Sequence, residues 1–229
     1  RYSNGKSTVM SRRLPQGPLS EYLSIMDLHM NDERFERGRT PDEYLTVLRN
    51  YRSLVRELVQ QAPDPPPLAD ELRSAVSGFT QPVRATMMTE DWCGDSACNV
   101  PLLRMLFMRA GIPFRVFRGS ETSELKDAYE AEGDDHIPVV SLWDGMGVEI
   151  ARWIEAPEAV QQKKEAWKAE RPHFMDLYAR RSVDKEAAKQ FPVLYRELLE
   201  TMAGWYREGM WEETAREILA ATRQTNARA

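Results

Sequence analysis

The sequence WCGDSACNVP occupies residues 92–101, between a predicted strand and a predicted helix. The strand is expected over 82–89, because PVRATMMT is typical of a buried strand. The helix is expected over 94–110 and to end at Gly111, a residue type common just after helices. Cys93 is therefore placed at a helix N-terminus, where the helix dipole and unpaired backbone N–H groups favour the thiolate, the reactive form of cysteine.

Downstream of this helix the pattern predicts further strands and helices. A second strand is expected over 113–117 and a short helix over 124–131. Two more strands, 139–143 and 148–153, are joined by a segment that starts with Asp-Gly, a strong hairpin signal. The order strand, helix, strand, helix, hairpin predicts a small mixed sheet whose first two strands are parallel and joined by a crossover helix.

Helical patterns flank the predicted sheet on both sides. Thr40 is a good N-cap for one helix over 41–62, which the proline-rich run at 63–67 ends. A short helix is expected over 69–76. After Pro157 the chain is expected to be helical to its end, with the helices packed against the sheet or each other. These C-terminal helices are predicted over 158–180, 185–205 and 211–221.

Charge and hydropathy narrow the classes of function. The 229 residues carry a net charge of −5, with acids and bases spread along the chain and no basic patch interleaved with aromatic residues. Nucleic-acid binding is therefore not expected. The apolar stretches are shorter than the roughly 20 residues of a membrane span. We therefore expect a cytoplasmic protein that binds neither nucleic acid nor a membrane.

Cysteine and histidine usage argues against a structural metal or a disulfide scaffold. The chain has two cysteines, Cys93 and Cys98, whereas secreted disulfide scaffolds have more at larger separations. Its three histidines, His29, His136 and His173, are far apart and lack metal-ligand spacing. We therefore expect no metal and no cofactor, and the two nearby cysteines reflect either redox chemistry or chance.

Segment 92–101 resembles the active site of thioredoxins. Thioredoxins carry W-C-G-P-C with a later proline in the helix, and Trp92–Gly94 and Pro101 match these positions. They also carry Ile-Pro with a cis bond opposite the active site, where it forms part of the groove that receives the substrate backbone; Ile137-Pro138 matches it. The resemblance implies an α/β thioredoxin-like fold, with a central mixed sheet, flanking helices and additional N- and C-terminal helices.

The whole chain also resembles a group of uncharacterised bacterial thioredoxin-like proteins. Their pattern contains E-D-W-C-G-D, an I-P strand start, a glycine-containing hairpin that leads to R-W, and a helical C-terminal segment. These elements lie here at 90–95, at 137–138, at 145–153 and after Pro157. The parts implied are an N-terminal tail and helical segment (1–62), a thioredoxin-like core (63–160) and a C-terminal helical extension packed on the core (161–229).

Departures from the thioredoxin pattern bear on activity. Ser96 stands at the family's second cysteine and Asp95 at its proline, so C-x-x-S replaces the C-x-x-C disulfide motif. Met87 stands where the family has a buried carboxylate that assists proton transfer. Cys98 is either a resolving thiol or a small buried hydrophobic residue. Geometry disfavours a disulfide from Cys93 to Cys98, since helical residues five apart rise about 7.5 Å and a disulfide needs Cα atoms within about 7 Å.

Charged neighbours are expected to act on the Cys93 thiol in opposite directions. Glu90, Asp91 and Asp95 raise the pKa of the thiol, because negative charge disfavours the thiolate. The helix N-terminus lowers the same pKa. His136 is either a cation near Cys93 that favours the thiolate or an exposed loop histidine.

The sequence leaves three hypotheses of function open, of which two are the stronger. The first is a thiol–disulfide oxidoreductase acting on protein or low-molecular-weight thiols and disulfides, in which Cys93 attacks and Cys98 or an external thiol such as glutathione or bacillithiol resolves the mixed disulfide. In it, Ser96 hydrogen-bonds the thiolate and Trp92 shields the thiol or packs. The alternative is a redox-inactive binding protein that uses the groove beside Pro138. Thiol-peroxidase chemistry, favoured only by the C-x-x-x-x-C spacing, is the weakest hypothesis.

Overall fold

A four-stranded mixed sheet lies at the centre of the fold. A computed structural model describes residues 28–226, and residues 1–27 of the predicted N-terminal tail and helical segment (1–62) lie outside the described residues. The strands are β1 (Arg84–Thr89), β2 (Phe114–Arg118), β3 (Val139–Trp143) and β4 (Glu149–Ile154). Their order in the sheet is β2-β1-β3-β4, with β1 and β2 parallel and the other neighbours antiparallel. The predicted mixed sheet with a parallel first pair is confirmed.

Both faces of this sheet are buried. Met87 belongs to the larger core cluster, and the next residue along β1, Met88, belongs to a second cluster that includes Trp143. Successive side chains of a strand point to opposite faces, so β1 needs apolar residues at neighbouring positions. Burial along β1 is accordingly continuous from Ala85 to Thr89 rather than alternating.

The helix that carries the candidate site connects β1 to β2. Helix α5 (Gly94–Ala110) has the predicted bounds and ends at Gly111, whose φ of 76° is left-handed and suits glycine. Cys93 is its N-cap, with an extended backbone. A shorter helix, α6 (Ser123–Ala131), precedes β3. The strand–helix–strand order therefore places Cys93 at the end of the central strand β1.

The N-terminal helices differ from the prediction at one point. They are α1 (Asp32–Glu36), α2 (Pro41–Val47), α3 (Arg52–Gln61) and α4 (Ala69–Val76). The single helix predicted over 41–62 is wrong, because the chain breaks between Leu48, which is extended, and Tyr51, whose φ is 55°. At this break in the helix, backbone and side-chain donors face the loop before Cys93. The Arg49 N–H donates to Asp91 Oδ2 at 3.2 Å.

The C-terminal helices are also more divided than the sequence indicates. They are α7 (Glu158–Ala169), α8 (His173–Arg180), α9 (Lys185–Trp205) and α10 (Trp211–Asn226), with a π-helical turn at Tyr206–Met210. The predicted helix over 158–180 is interrupted before α8, because Pro172 has no N–H to continue the helical hydrogen bonds. In the π-helical turn, Gly209 has a φ of 123°.

A buried polar network joins α10 to α5. Asn99 donates from Nδ2 to the hydroxyl of Tyr206 at 2.8 Å, and its Oδ1 accepts the hydroxyl of Thr214 at 2.8 Å. Trp211 Nε1 donates to the carbonyl of Cys98 at 2.8 Å. Asn99, Tyr206 and Thr214 are fully buried. The C-terminal helices are therefore fixed to the first turns of α5 by directional bonds as well as by apolar packing.

Replacing Thr214 with valine is expected to lower the free energy of unfolding by roughly 1–3 kcal/mol. The change leaves Asn99 Oδ1 buried without its hydroxyl donor. Thr222→Val is the matched control, since Thr222 is equally buried on α10 but its hydroxyl donates only to the carbonyl of Ile218 in its own helix. Urea unfolding of both variants measures the difference, and equal losses would contradict the role given to the network.

Candidate active site around Cys93

The Cys93 sulfur lies between the start of α5 and the loop before β3. Its Sγ accepts the backbone N–H of Ser96 at 3.4 Å, and the thiol donates to the carbonyl of Ile137 at 3.3 Å. The Ile137–Pro138 peptide bond is cis. Because β1 and β3 are neighbours in the sheet, the end of β1 and the start of β3 meet at the same edge. The sheet topology thus brings the thiol and Ile137-Pro138 together.

Residues from outside the sheet cover this thiol. Cys93 is only 5% exposed. The hydroxyl of Tyr51 donates to the carbonyl of Trp92, the residue before Cys93, at 3.2 Å. The N–H of Gly94 donates to the hydroxyl of Tyr195 at 3.2 Å. A Cβ on Gly94 would lie 2.4 Å from Leu199 Cδ2. Glycine at the first position of α5 therefore lets α9 approach the start of that helix closely.

Three charged side chains form a cluster beside the thiol, here called the Asp95 cluster: Asp95, Lys164 and Glu155. The Lys164 ammonium lies 2.8 Å from Asp95 Oδ2 and 2.7 Å from Glu155 Oε1. The side chains of Lys164 and Asp95 are 9% and 14% exposed. The second oxygen of Asp95, Oδ1, is buried and has no hydrogen-bond partner.

Burial decides whether the pKa of the Cys93 thiol lies above or below its ordinary value. Burial, followed by the charge of Asp95, raises the pKa of Cys93 to about 12. Hydrogen bonds from Ser96 and from the Asp95 backbone lower the pKa of Cys93 but do not outweigh these causes. Burial also raises the pKa of Asp95, against the opposing charge of Lys164. The helix N-terminus therefore does not lower the pKa of the thiol below its ordinary value in this conformation.

The predicted supporting residues take different positions around the thiol. Trp92 is 60% exposed, whereas Pro138 is buried, and a groove beside Pro138 stays a prediction. His136 has a side chain that is 66% exposed and lies 3.5 Å from carboxylate oxygens of Glu155 and Asp135. Trp92 and His136 are thus the exposed members of the predicted set.

The remaining predicted residues lie on the inner side of α5. Cys98 is fully buried in the larger core cluster, and both cysteines are free thiols. Burial raises the pKa of Cys98. The hydroxyl of Ser96 hydrogen-bonds the hydroxyl of Thr89, while its backbone N–H faces Cys93. A resolving role for Cys98 stays a prediction, and it requires the first turn of α5 to unwind.

Sequence reasoning missed two members of the Asp95 cluster. Lys164 lies 69 residues after its partner Asp95, on a helix that was predicted only to pack against the sheet or the other helices. Glu155 follows β4, and its φ of 66° is unusual for a residue other than glycine. A lysine on an amphipathic helix carries no local signal that it is buried, so the pairing could not be found from the sequence alone.

Neither a membrane-spanning helix nor a metal site is found among the described residues. Within residues 28–226, no helix combines the length and apolar character needed to cross a membrane. Over the same range, no group of three or more His, Cys, Asp and Glu side chains is placed to hold a metal ion. In the Asp95 cluster, the Lys164 ammonium bonds to both carboxylates.

The mixed sheet, the crossover helix that starts at Cys93 and the Ile137-Pro138 loop beside the thiol define a thioredoxin-like fold, as predicted. A family model described as Thioredoxin matches residues 38–168, and the chain belongs to this family. The match includes the whole sheet and α5, and it extends to α7, the helix that supplies Lys164.

Two solved structures are similar to this chain. One is a protein of unknown function from Pseudomonas aeruginosa, with 14% identity, a TM-score of 0.50, and coverage of 85% of this chain and 96% of that one. The other is an HIV epitope scaffold, with 14% identity, a TM-score of 0.48, and coverage of 86% and 97%. At such identity the first likeness shows the fold alone. A search of the curated proteins found no match.

Proposed function

We propose that this protein is a monothiol thiol–disulfide oxidoreductase with Cys93 as its nucleophile. The observation that carries the proposal is the position of the Cys93 sulfur. It caps α5, accepts the Ser96 N–H at 3.4 Å and lies 3.3 Å from the carbonyl of Ile137. Backbone N–H groups favour the thiolate in this position. The Ile137 carbonyl accepts the protonated thiol, and once the thiol ionises this carbonyl is free to bond the backbone of a disulfide substrate.

The exchange has two steps, both nucleophilic. The Cys93 thiol first loses its proton to water, and the thiolate attacks one sulfur of a substrate disulfide. A new S–S bond forms as the substrate S–S bond breaks, and the second substrate sulfur leaves as a thiolate. An external thiolate then attacks the sulfur bound to Cys93, which releases Cys93 and leaves the external thiol oxidised in a new disulfide. Protein thiols and low-molecular-weight thiols are the proposed partners.

An external thiol is favoured over Cys98 for the second step. Ser96 replaces the cysteine that resolves the mixed disulfide in dithiol thioredoxins. Cys98 is fully buried and lies within α5, with its carbonyl bonded to Trp211. Bringing its sulfur to Cys93 would break the start of α5, whereas a small external thiol needs only access to the mixed disulfide.

The burial of Cys93 supports a second candidate function, a redox-inactive binding protein. With a pKa of about 12, Cys93 is nearly all thiol at neutral pH. In this candidate its S–H bond to the Ile137 carbonyl is structural, and the exposed Trp92 belongs to a binding surface. The two candidates differ in whether the folded protein ever presents a thiolate to a disulfide.

Incubation with oxidised glutathione tests the proposal. We expect wild-type protein and Cys98→Ala to gain one glutathione per chain without denaturant, faster at higher pH, and Cys93→Ser to gain none. Intact-mass spectrometry measures the adduct. Alanine is used at position 98 because a serine hydroxyl there would be buried among apolar side chains. Adducts that form only after unfolding would favour the redox-inactive candidate, and an adduct on Cys98 would overturn the assignment of the nucleophile.

A further inference from the structure

The Asp95 cluster lies where it can act on the proposed nucleophile. Asp95 is two residues after Cys93, in the first turn of α5. Its Oδ2 is held at 2.8 Å by Lys164, and its Oδ1 is buried without a hydrogen-bond partner. A carboxylate fixed in this way cannot turn into solvent. Because buried charges are weakly screened, its charge acts strongly on groups around it.

We infer that Asp95 is a positioning residue that keeps Cys93 in its protonated, unreactive form, and that Lys164 and Glu155 fix the strength of this restraint. The inference rests on the proposed exchange chemistry at Cys93. Two carboxylates and one ammonium give the cluster a net charge of −1. Loss of either carboxylate would make the cluster neutral and would favour the thiolate.

The other acidic neighbours of the thiol have partners elsewhere. Asp91 pairs with Arg118 at 2.8 Å, and Glu90 accepts the hydroxyl of Ser120 at 3.0 Å. Asp95 is the carboxylate whose charge raises the pKa of Cys93. Of the three acids that the sequence places around the thiol, Asp95 is therefore the one whose charge acts on it most strongly.

The charged and titratable groups that face Asp95 from the surrounding elements determine how much its removal changes the electrostatic potential at Cys93. Helix α7 contributes two cations, Lys164 and Lys168, and Lys168 is bonded to Glu165 at 2.7 Å. From the end of β4 comes one carboxylate, and from the C-terminal helices come two tyrosine hydroxyls that are neutral at physiological pH because burial raises their pKa. The groups are Lys164, Lys168, Glu155, Tyr195, Tyr206 and the two thiols, Cys93 and Cys98.

The test is the pH dependence of Cys93 alkylation by iodoacetamide, a neutral reagent, in a Cys98→Ala background. Asp95→Asn is expected to lower the midpoint of the rate profile by about 1 pH unit or more, which is about tenfold more thiolate well below both midpoints. Glu155→Gln is expected to lower the same midpoint by less, because the charge of Asp95, and not that of Glu155, is among the main causes that raise the pKa of Cys93. Glu165→Gln, an exposed charge removal on the same helix as Lys164, is the matched control and should leave the midpoint unchanged.

The midpoint separates this role from a purely structural one. A variant that only loosens the packing labels faster at every pH without moving the midpoint, and that result in Asp95→Asn would overturn the inference. If Asp95→Asn does not fold, Glu155→Gln decides: a lower midpoint supports the inference and an unchanged one overturns it. Failure of glutathione exchange in a protein whose midpoint does shift would count against the proposed function alone.

Discussion

Replacing Lys164 with methionine is expected to lower the free energy of unfolding by roughly 3–5 kcal/mol at neutral pH, the usual cost of removing one partner from a buried ion pair. Lys164 is 9% exposed and is the ammonium that bonds both Asp95 and Glu155. Methionine keeps most of the volume of the lysine stem but leaves the Asp95 carboxylate buried without its cation. Urea unfolding of the reduced protein measures the loss.

The pH dependence of this loss has a definite sign. Burial raises the pKa of Asp95, and Lys164 opposes that rise, so the pKa of Asp95 rises further in Lys164→Met. A group whose pKa is higher in the folded than in the unfolded state favours folding at low pH, and this contribution is lost as pH rises through the folded pKa. The difference between wild type and variant should therefore be small in acid and grow as Asp95 ionises.

Lys168→Met provides the matched control for Lys164→Met. Lys168 lies on the same helix and pairs with Glu165, whose side chain is 73% exposed, so its removal should cost no more than about 1 kcal/mol. Its pH trend should have the same sign as that of Lys164→Met but be much weaker, because Lys168 acts on Asp95 by its charge without a hydrogen bond and less strongly than Lys164. Equal losses in the two variants, or a loss in Lys164→Met that does not change with pH, would show that the buried pair does not act as described.

The parts of the fold that the sequence predicted are those with local signals. Helix 94–110 was predictable because Cys93 precedes it, Gly111 follows it and the flanking segments have strand character. The break between α2 and α3 was not predictable, because Tyr51 takes its left-handed backbone conformation where its hydroxyl reaches the carbonyl before Cys93. That contact spans 41 residues and leaves no trace in the helical spacing of apolar residues.

The candidate site shows the same division between local and long-range information. The N-cap position of Cys93 follows from its neighbours in the chain. Whether the helix N-terminus or the acidic residues prevail depends on burial, which is contributed by Tyr195 and Leu199 about one hundred residues downstream. Spacing alone therefore identifies the nucleophile candidate, while its ionisation depends on tertiary contacts that the sequence pattern does not reveal.

Two neighbouring leucines of α9 allow the shielding of Cys93 by this helix to be tested separately from the contribution of the helix to the stability of the fold. Leu199 and Leu198 are adjacent on α9 and are 2% and 3% exposed. Leu199 Cδ2 lies 2.4 Å from the position that a Cβ on Gly94, the residue after Cys93, would take, whereas Leu198 belongs to the larger core cluster. Truncating either residue to alanine is expected to cost about 2–5 kcal/mol, because each leaves a buried cavity.

Only Leu199→Ala should also expose the Cys93 thiol. In a Cys98→Ala background under native conditions, we expect Leu199→Ala to raise the rate of iodoacetamide labelling about tenfold or more above that of Leu198→Ala, since a local opening that costs about 1.4 kcal/mol less is ten times more populated. Mass spectrometry at several reagent concentrations gives the rates. Because the two variants lose similar stability, global unfolding contributes equally to both. Equal labelling rates would mean that Cys93 is exposed only when the whole chain unfolds, and that α9 does not control access to it.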